Sequence, residues 1–317
     1  MNHQQVKVSS LNVVPIIDLP WLFRLVRLDR VSLPKGGYRF QATLFHDKAS
    51  VAVTWIGSKV DDRLSAGSLV TPRWTSKTVC TQGQIIVNRL LPVSTPSTVN
   101  LFETVPYEWV KDREAISQAR QIIEGLPSYF IKLINGIFWD YRRFYRFLVG
   151  PSSLNGHHNY KHGNLRHSLE VTHNALMLSK NRETVCLHVL ATAALLHDAG
   201  KADEYQFNHQ RNCFEISTRG VLLGHKLSIV EWISAAVAQY QIPIPDNELL
   251  SLLHALTAAK GAPNWIGIRE PVSPEANLLS IADRLSGQDD LFKQTMTSSK
   301  GFGRYHKHLR GRPFLVA

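Results

Sequence analysis

The stretch Val185 to Leu196 is apolar nearly all round and stops on His197-Asp198. A helix without a polar face is a buried helix, so this segment belongs inside a helical core. A histidine and an acid at its end carry a desolvation cost unless something pairs with them, and a metal ion would do so. Gly200 follows as a stop signal. Three more polar residues sit where packing alone would not put them. His167 lies among Leu165, Leu169, Thr172 and Leu176 at helical spacing, and His225 follows Gly224 at the start of an amphipathic helix with Leu227, Val230, Ile233 and Val237. Asp283 comes one turn after Leu279, in a helix opened by Ser273 as N-cap and Pro274 at the first helical position. Each alone has an ordinary explanation as a hydrogen-bonded core or surface residue. The ordered set points to chemistry.

Imidazole nitrogens combined with carboxylate oxygens suit Mn²⁺, Fe²⁺, Zn²⁺ or, less well, Mg²⁺, and the lack of thiolates argues against a structural zinc site. Such a set leaves positions for water and a phosphate oxygen. A bound divalent metal ion would lower the pKa of its water and polarise a phosphoryl group, the two requirements of phosphodiester hydrolysis.

The N-terminal part reads differently. Residues from about 17 to 95 alternate, with strand candidates Phe23 to Leu28, Tyr38 to Phe45, Ala49 to Trp55, Ser68 to Ser76 and Gln84 to Leu91, separated by turns such as Gly36-Gly37 and Gln82-Gly83. Five short strands in so few residues predict an OB-type β-barrel, whose surface offers stacking and a basic groove to single-stranded nucleic acid. Arg39, Trp55, Arg73, Trp74 and Lys77 are the candidates for that surface. Alternate barrel residues point inward, so one of the two tryptophans is expected to be the platform and the other core.

The chain is therefore expected to be α+β: a barrel in 1–95, a Pro/Ser/Thr-rich linker in 96–111, an all-α domain in 112–290 and a basic tail in 291–317. Helices are predicted over 112–125 and 128–148, the second with an aromatic stripe (Phe130, Phe138, Phe144, Phe147) that reads as core or domain contact. Three scattered cysteines, no apolar run able to span a bilayer and a polar start from Met1 to Ser10 place the protein in the cytoplasm, with no membrane partner. The net charge of +11 favours polyanionic partners. Beyond Asp290 no carboxylate side chain occurs, while Arg304, Lys307 and Arg310 stand among the tail's cations, as in a nucleic-acid arm or a solvated tail.

The order His167, His197-Asp198, Asp283 resembles the H…HD…D signature of the HD superfamily. "GHHNYKHGNLRHSLEV" (156–171), "LLHDAGKADEY" from Leu195, "LLGH" (222–225) and "PEANLLSIADRLSGQ" (274–288) resemble the YhaM-type 3′→5′ exoribonucleases. That resemblance implies an OB-fold joined to an HD domain and divalent-metal-dependent, often Mn²⁺-dependent, removal of nucleotides from the 3′ end of single-stranded RNA or DNA. It implies His167, His197, Asp198 and Asp283 as ligands of one metal, His225 at a second metal or the scissile phosphate, and Lys201 on a substrate phosphate. His157 and His158 match the family's paired histidines and read as pocket residues. The resemblance also implies a homo-oligomer, with the aromatic helices at 128–148 as a surface for it. One departure matters: Ala258-Ala259-Lys260-Gly261 stands where the family carries S-H-H-G. His254 in the same helix is the candidate to compensate, and Lys260 is expected to take the place of a second ion near the pocket. Three other readings are an HD pocket that has lost activity and serves a nucleic-acid-binding module, a relative of conjugation relaxases, and a small-nucleotide phosphohydrolase.

Overall fold

The computed structural model describes residues 19–75, 80–81, 83–263, 265 and 267–316. It divides into two compact units, one holding the chain up to Arg120 together with Trp139–Arg142, the other Gln121–Phe138 and everything from Arg143.

The first unit is a barrel of β1 (Phe23–Ser32), β2 (Tyr38–His46), β3 (Ala49–Gly57), β4 (Leu69–Trp74) and β6 (Gln84–Pro92), with the short β5 (Cys80–Thr81) beside β6. Antiparallel pairing runs β3-β2-β1-β4-β6, and a parallel contact of Val53 with Ile85 closes the ring. This is the five-stranded Greek-key arrangement of an OB-type barrel. Alternation drives it: Phe40, Ala42 and Leu44 of β2 and Val51, Val53 and Trp55 of β3 turn inward, while Arg39 and Gln41 turn out. Burying these side chains contributes roughly 1.5–3 kcal/mol for each large apolar residue.

The segment expected as a linker carries a 3-10 turn, Leu101–Thr104, with Leu101 and Phe102 buried. Arg24 on β1 is fully buried and donates to Thr104 Oγ1 (2.7 Å) and to the Gly67 carbonyl (2.8 Å). These charge-assisted bonds satisfy the guanidinium where water does not reach it.

The second unit is built from α2 (Ser128–Phe138), the greater part of α3 (Tyr141–Val149), α4 (Gly163–Ser179), α5 (Leu187–Leu196), α6 (Lys201–Glu204), α7 (Thr218–Leu222), α8 (Gly224–Tyr240), α9 (Asp246–Thr257) and α10 (Pro274–Thr295); α1 (Arg113–Glu124) leads into it. Helices α4, α5 and α10 pack on one another, which brings three distant parts of the sequence to one place. The helix expected over 128–148 is two helices. Asp140 Oδ1 accepts from the Arg142 amide and starts α3 anew, as an N-cap does. Phe130, Phe138, Phe144 and Phe147 are fully buried and serve as core, so these rings offer no surface for assembly.

Two pieces differ from expectation, one within the all-α domain and one in the tail expected as a nucleic-acid arm or a solvated tail. A hairpin of β7 (Tyr205–Asn208) and β8 (Cys213–Ile216) follows α6, its apolar residues alternating with period two about a polar turn. The basic tail folds back as a ribbon of β9 (Gly301–Phe302) and β10 (Phe314–Leu315), held by the Phe302–Phe314 ring contact at 4.8 Å. Among the described residues, no helix is long and apolar enough to cross a membrane.

Candidate metal centre

His167 is on the inner face of α4 and is fully buried. α5 has no polar face and ends where the chain must turn, so His197 at its C-cap and Asp198 one residue later project from the end of a buried rod. α10 lays Asp283 against them. His167 Nε2 is 3.1 Å from Asp283 Oδ1, 3.2 Å from His197 Nε2 and 3.4 Å from Asp198 Oδ2. His197 Nε2 is 3.5 Å from Asp198 Oδ2 and 3.8 Å from Asp283 Oδ1. Bonds of about 2.1 Å to a divalent ion set its donors roughly 3.0–3.4 Å apart in octahedral or tetrahedral geometry, a range that the three separations from His167 Nε2 meet and the two from His197 Nε2 exceed.

The hydrogen bonds behind the donors fix which atoms face inward. Ser286 Oγ donates to Glu170 (2.8 Å) and so accepts from His167 Nδ1 (3.0 Å). His197 Nδ1 donates to the Ala194 carbonyl (2.8 Å). Both Nε2 atoms are thereby left as lone pairs facing two carboxylates, the tautomer a metal ligand needs. Burial also pushes the His167 pKa down and disfavours its charged form, against the Asp283 hydrogen bond that raises it.

Asp198 faces two ways. Burial would raise its pKa, but the Lys201 ammonium 2.5 Å from Oδ2 and the surrounding histidines hold it well below the usual carboxylate range. Lys201 also donates to Ser152 Oγ (3.3 Å), and Ser152 donates to Asp198 Oδ2 (3.2 Å). The other oxygen, Oδ1, lies 3.5 Å from His225 Nε2, whose Nδ1 is 2.6 Å from Glu204. Burial raises the Glu204 pKa, and the His225 bond more than offsets it, leaving that carboxyl low.

His157 and His158 lie beside this cluster, their rings 4.7 and 5.1 Å from that of His167. His158 is buried. Its Nε2 meets Glu170 at 3.1 Å and its amide donates to Asp290 (2.6 Å). Burial first, then the neighbouring His167, lowers His157 to a pKa of about 4.

Two candidates are turned elsewhere. His254 Nε2 accepts from the Val272 amide (3.1 Å), a bond that uses the nitrogen as a local cap. Lys260 is exposed in the turn past the end of α9, where the helix has already stopped at Thr257, so it does not stand in for a second ion. Gly200 is not the conformational stop expected of it either: its φ of −60° is helical, and a Cβ there would lie 2.1 Å from the His225 carbonyl oxygen. Its lack of a side chain lets α8 approach the dyad.

On the barrel, Arg39 and Arg73 are exposed, and Arg73 pairs across the sheet with Arg89, also exposed. Trp55 is core, stacked on Phe40 at 4.9 Å, while Trp74 is half-buried. Lys77 lies outside the described residues. Arg304, Lys307 and Arg310 are exposed on the C-terminal ribbon. Sequence reasoning missed Ser286 and Glu170, although each follows a ligand by one helical turn, a spacing that could have found them. Glu204 and Ser152 gave no comparable signal, because they reach the site through the fold.

Residues 164–288 match the HD domain family. The chain is similar to 3′-5′ exoribonuclease YhaM of Bacillus subtilis, 23% identical over 225 residues covering 68% of this chain and 67% of that protein. It is also similar to the protein of that name in Bacillus licheniformis, 21% identical over 291 residues and 88% of each chain, and in Listeria welshimeri, 22% identical over 219 residues, 68% of this chain and 66% of that one. No solved structure matches. At the level of the family, these similarities support a metal-dependent phosphohydrolase.

Proposed function

We propose that this protein is a metal-dependent nuclease of the cytoplasm, a 3′→5′ exonuclease on single-stranded RNA or DNA, with Mn²⁺ as the favoured ion. The observation that carries this reading is the convergence of His167, His197, Asp198 and Asp283 at separations suited to one divalent cation. The name shared by the similar proteins supports the substrate class and the direction. A divalent ion held there supplies Lewis acidity to a phosphate oxygen and a more acidic water. The chain's own groups do the rest. Lys201 holds Asp198 ionised and presents an ammonium to an incoming phosphate. Glu204 fixes the His225 tautomer with Nδ1–H outward to the carboxylate, so that Nε2 can accept or return a proton beside Asp198 Oδ1.

In the same reading the exposed barrel cations Arg39 and Arg73, the half-buried Trp74 and the ribbon cations Arg304, Lys307 and Arg310 guide the strand. Arg73 opposite Arg89 is a like-charge pair, costly unless an anion joins it. Domain limits of 1–95, 96–111, 112–290 and 291–317, and self-association, belong to this proposal as well.

A second reading is favoured by the orientation of His254 and the exposure of Lys260, which leave a second ion beside His225 and Asp198 Oδ1 without the help expected from α9. In it the HD pocket has reduced activity and the protein is a nucleic-acid-binding accessory module, of the kind associated with conjugation. The test is incubation of end-labelled single- and double-stranded oligonucleotides with Mn²⁺, Mg²⁺ or chelator. Stepwise shortening of a 5′-labelled single strand in Mn²⁺, absent with chelator, is expected. Binding without cleavage in either metal overturns the nuclease and supports the accessory module.

A further inference from the structure

The β7–β8 hairpin carries a feature that its own stability does not explain. Tyr205 and Phe207 lie two residues apart on one strand and therefore on one face, and Phe214 is the cross-strand partner of Phe207. The rings of Phe207 and Phe214 meet edge-on at 5.1 Å, yet Phe207 remains 40% exposed. This aromatic face forms one wall of a cavity of about 850 Å³. Lys161, Lys201 and Arg146 also line it, and no carboxylate lines the cavity among the described residues. Arg146 is engaged by Asp203 and the Ala202 carbonyl. Lys161 is exposed and has no carboxylate partner among the described residues. Lys201 reaches from the cavity wall to Asp198, so the cavity adjoins the candidate metal centre.

Exposed rings, the unpaired Lys161 ammonium and the rim of the Lys201–Asp198 pair in one concavity call for a ligand that is flat, aromatic and anionic. We propose that this cavity binds one nucleotide unit of the substrate strand, its base against the Phe207–Phe214 face and its phosphate between Lys161 and Lys201. The assignment rests on the phosphodiesterase reading of the neighbouring centre, and it names the part of the chain that grips the nucleotide there. Stacking on aromatic rings tolerates any base, so the cavity would recognise a nucleotide without selecting a sequence.

Titration calorimetry of the full-length protein in chelator tests this with 5′-AMP, adenosine and inorganic phosphate as separate ligands. 5′-AMP is expected to bind more tightly than either fragment. Phe207→Leu keeps an apolar cross-strand contact and removes the aromatic face, and is expected to weaken 5′-AMP about tenfold, the loss of one stacked base. Lys161→Ala changes an exposed residue with no bearing on folding, and should weaken 5′-AMP and phosphate while leaving adenosine alone. No 5′-AMP binding in the wild type, or equal affinity in both variants and the wild type, would overturn the assignment. If oligonucleotides are cleaved but 5′-AMP binding ignores these substitutions, the cavity proposal fails alone. If 5′-AMP binds as described and no metal supports cleavage, the nuclease reading fails alone.

Discussion

His167 reaches the cluster through a relay, Nδ1 to Ser286 and Ser286 to Glu170, that leaves no freedom in which nitrogen faces the ion. Ser286→Ala removes the acceptor and lets the imidazole choose its tautomer. Metal affinity, read by competition with a chelating dye, is expected to fall about 10–100-fold with the fold intact. Unchanged affinity would mean that the relay is only packing. A stronger loss is expected at the donors themselves. His197→Ala with Asp198→Ala should leave the purified protein without bound metal and without hydrolysis, while the barrel's far-ultraviolet signature persists. Equal metal content in the two proteins by elemental analysis would remove the site assignment. Glu204 acts through His225 rather than on substrate. Glu204→Gln keeps the shape and takes away the charge opposite Nδ1, so the pH profile of hydrolysis should shift while the metal content holds.

Elements meet here at tolerances that one methyl group breaks. Gly200 lies against the His225 carbonyl, and Gly200→Ala forces α6 or α8 to move. Overpacking of this kind costs about 1–3 kcal/mol, measurable as a lower urea midpoint, and should also separate His225 from Asp198. In the first unit Glu103, on the 3-10 turn, is held below the ordinary carboxyl value chiefly by the hydrogen bond from His46. A depressed carboxylate contributes stability above its unfolded pKa of about 4.3, and that contribution disappears as pH falls through the lower folded value. The stability of the wild type should therefore drop more steeply with acid than that of Glu103→Gln, and parallel acid curves would show that the pair contributes nothing. The turn itself shows how a stretch whose Pro/Ser/Thr-rich composition reads as a linker is fastened. Its composition is that of a loop, yet two apolar residues and a buried arginine from another strand fasten it.

For the whole molecule the excess of positive charge, +11, bears on how a polyanion is held. Replacing Arg304, Lys307 and Arg310 by Ala is expected to lower the slope of log affinity for single strands against log salt by about 0.7 for each phosphate no longer neutralised. An unchanged slope would make the ribbon's charge a matter of solubility. The barrel, the buried helix and the candidate donors His167, His197, Asp198 and Asp283 were legible because each is written locally: period two for strands, a helix apolar on every side, and ionisable groups where burial would otherwise be costly. The helix break at Asp140 and the β7–β8 alternation were also local, but short, and were masked by the helical pattern around them. What the chain order could not state is which side of a residue meets which distant partner. Trp55 and Trp74 are equal as tryptophans, and only the register of β3 against β2 turned Trp55 onto Phe40 and into the core. His254 and Lys260 follow the same rule, since the end of α9 at Thr257 decides where each points. Residue type and spacing thus determined the elements and the chemistry they carry. The packing of α4, α5 and α10 alone decided that four donors converge, because their separations are set by the way helices far apart in sequence lie against one another.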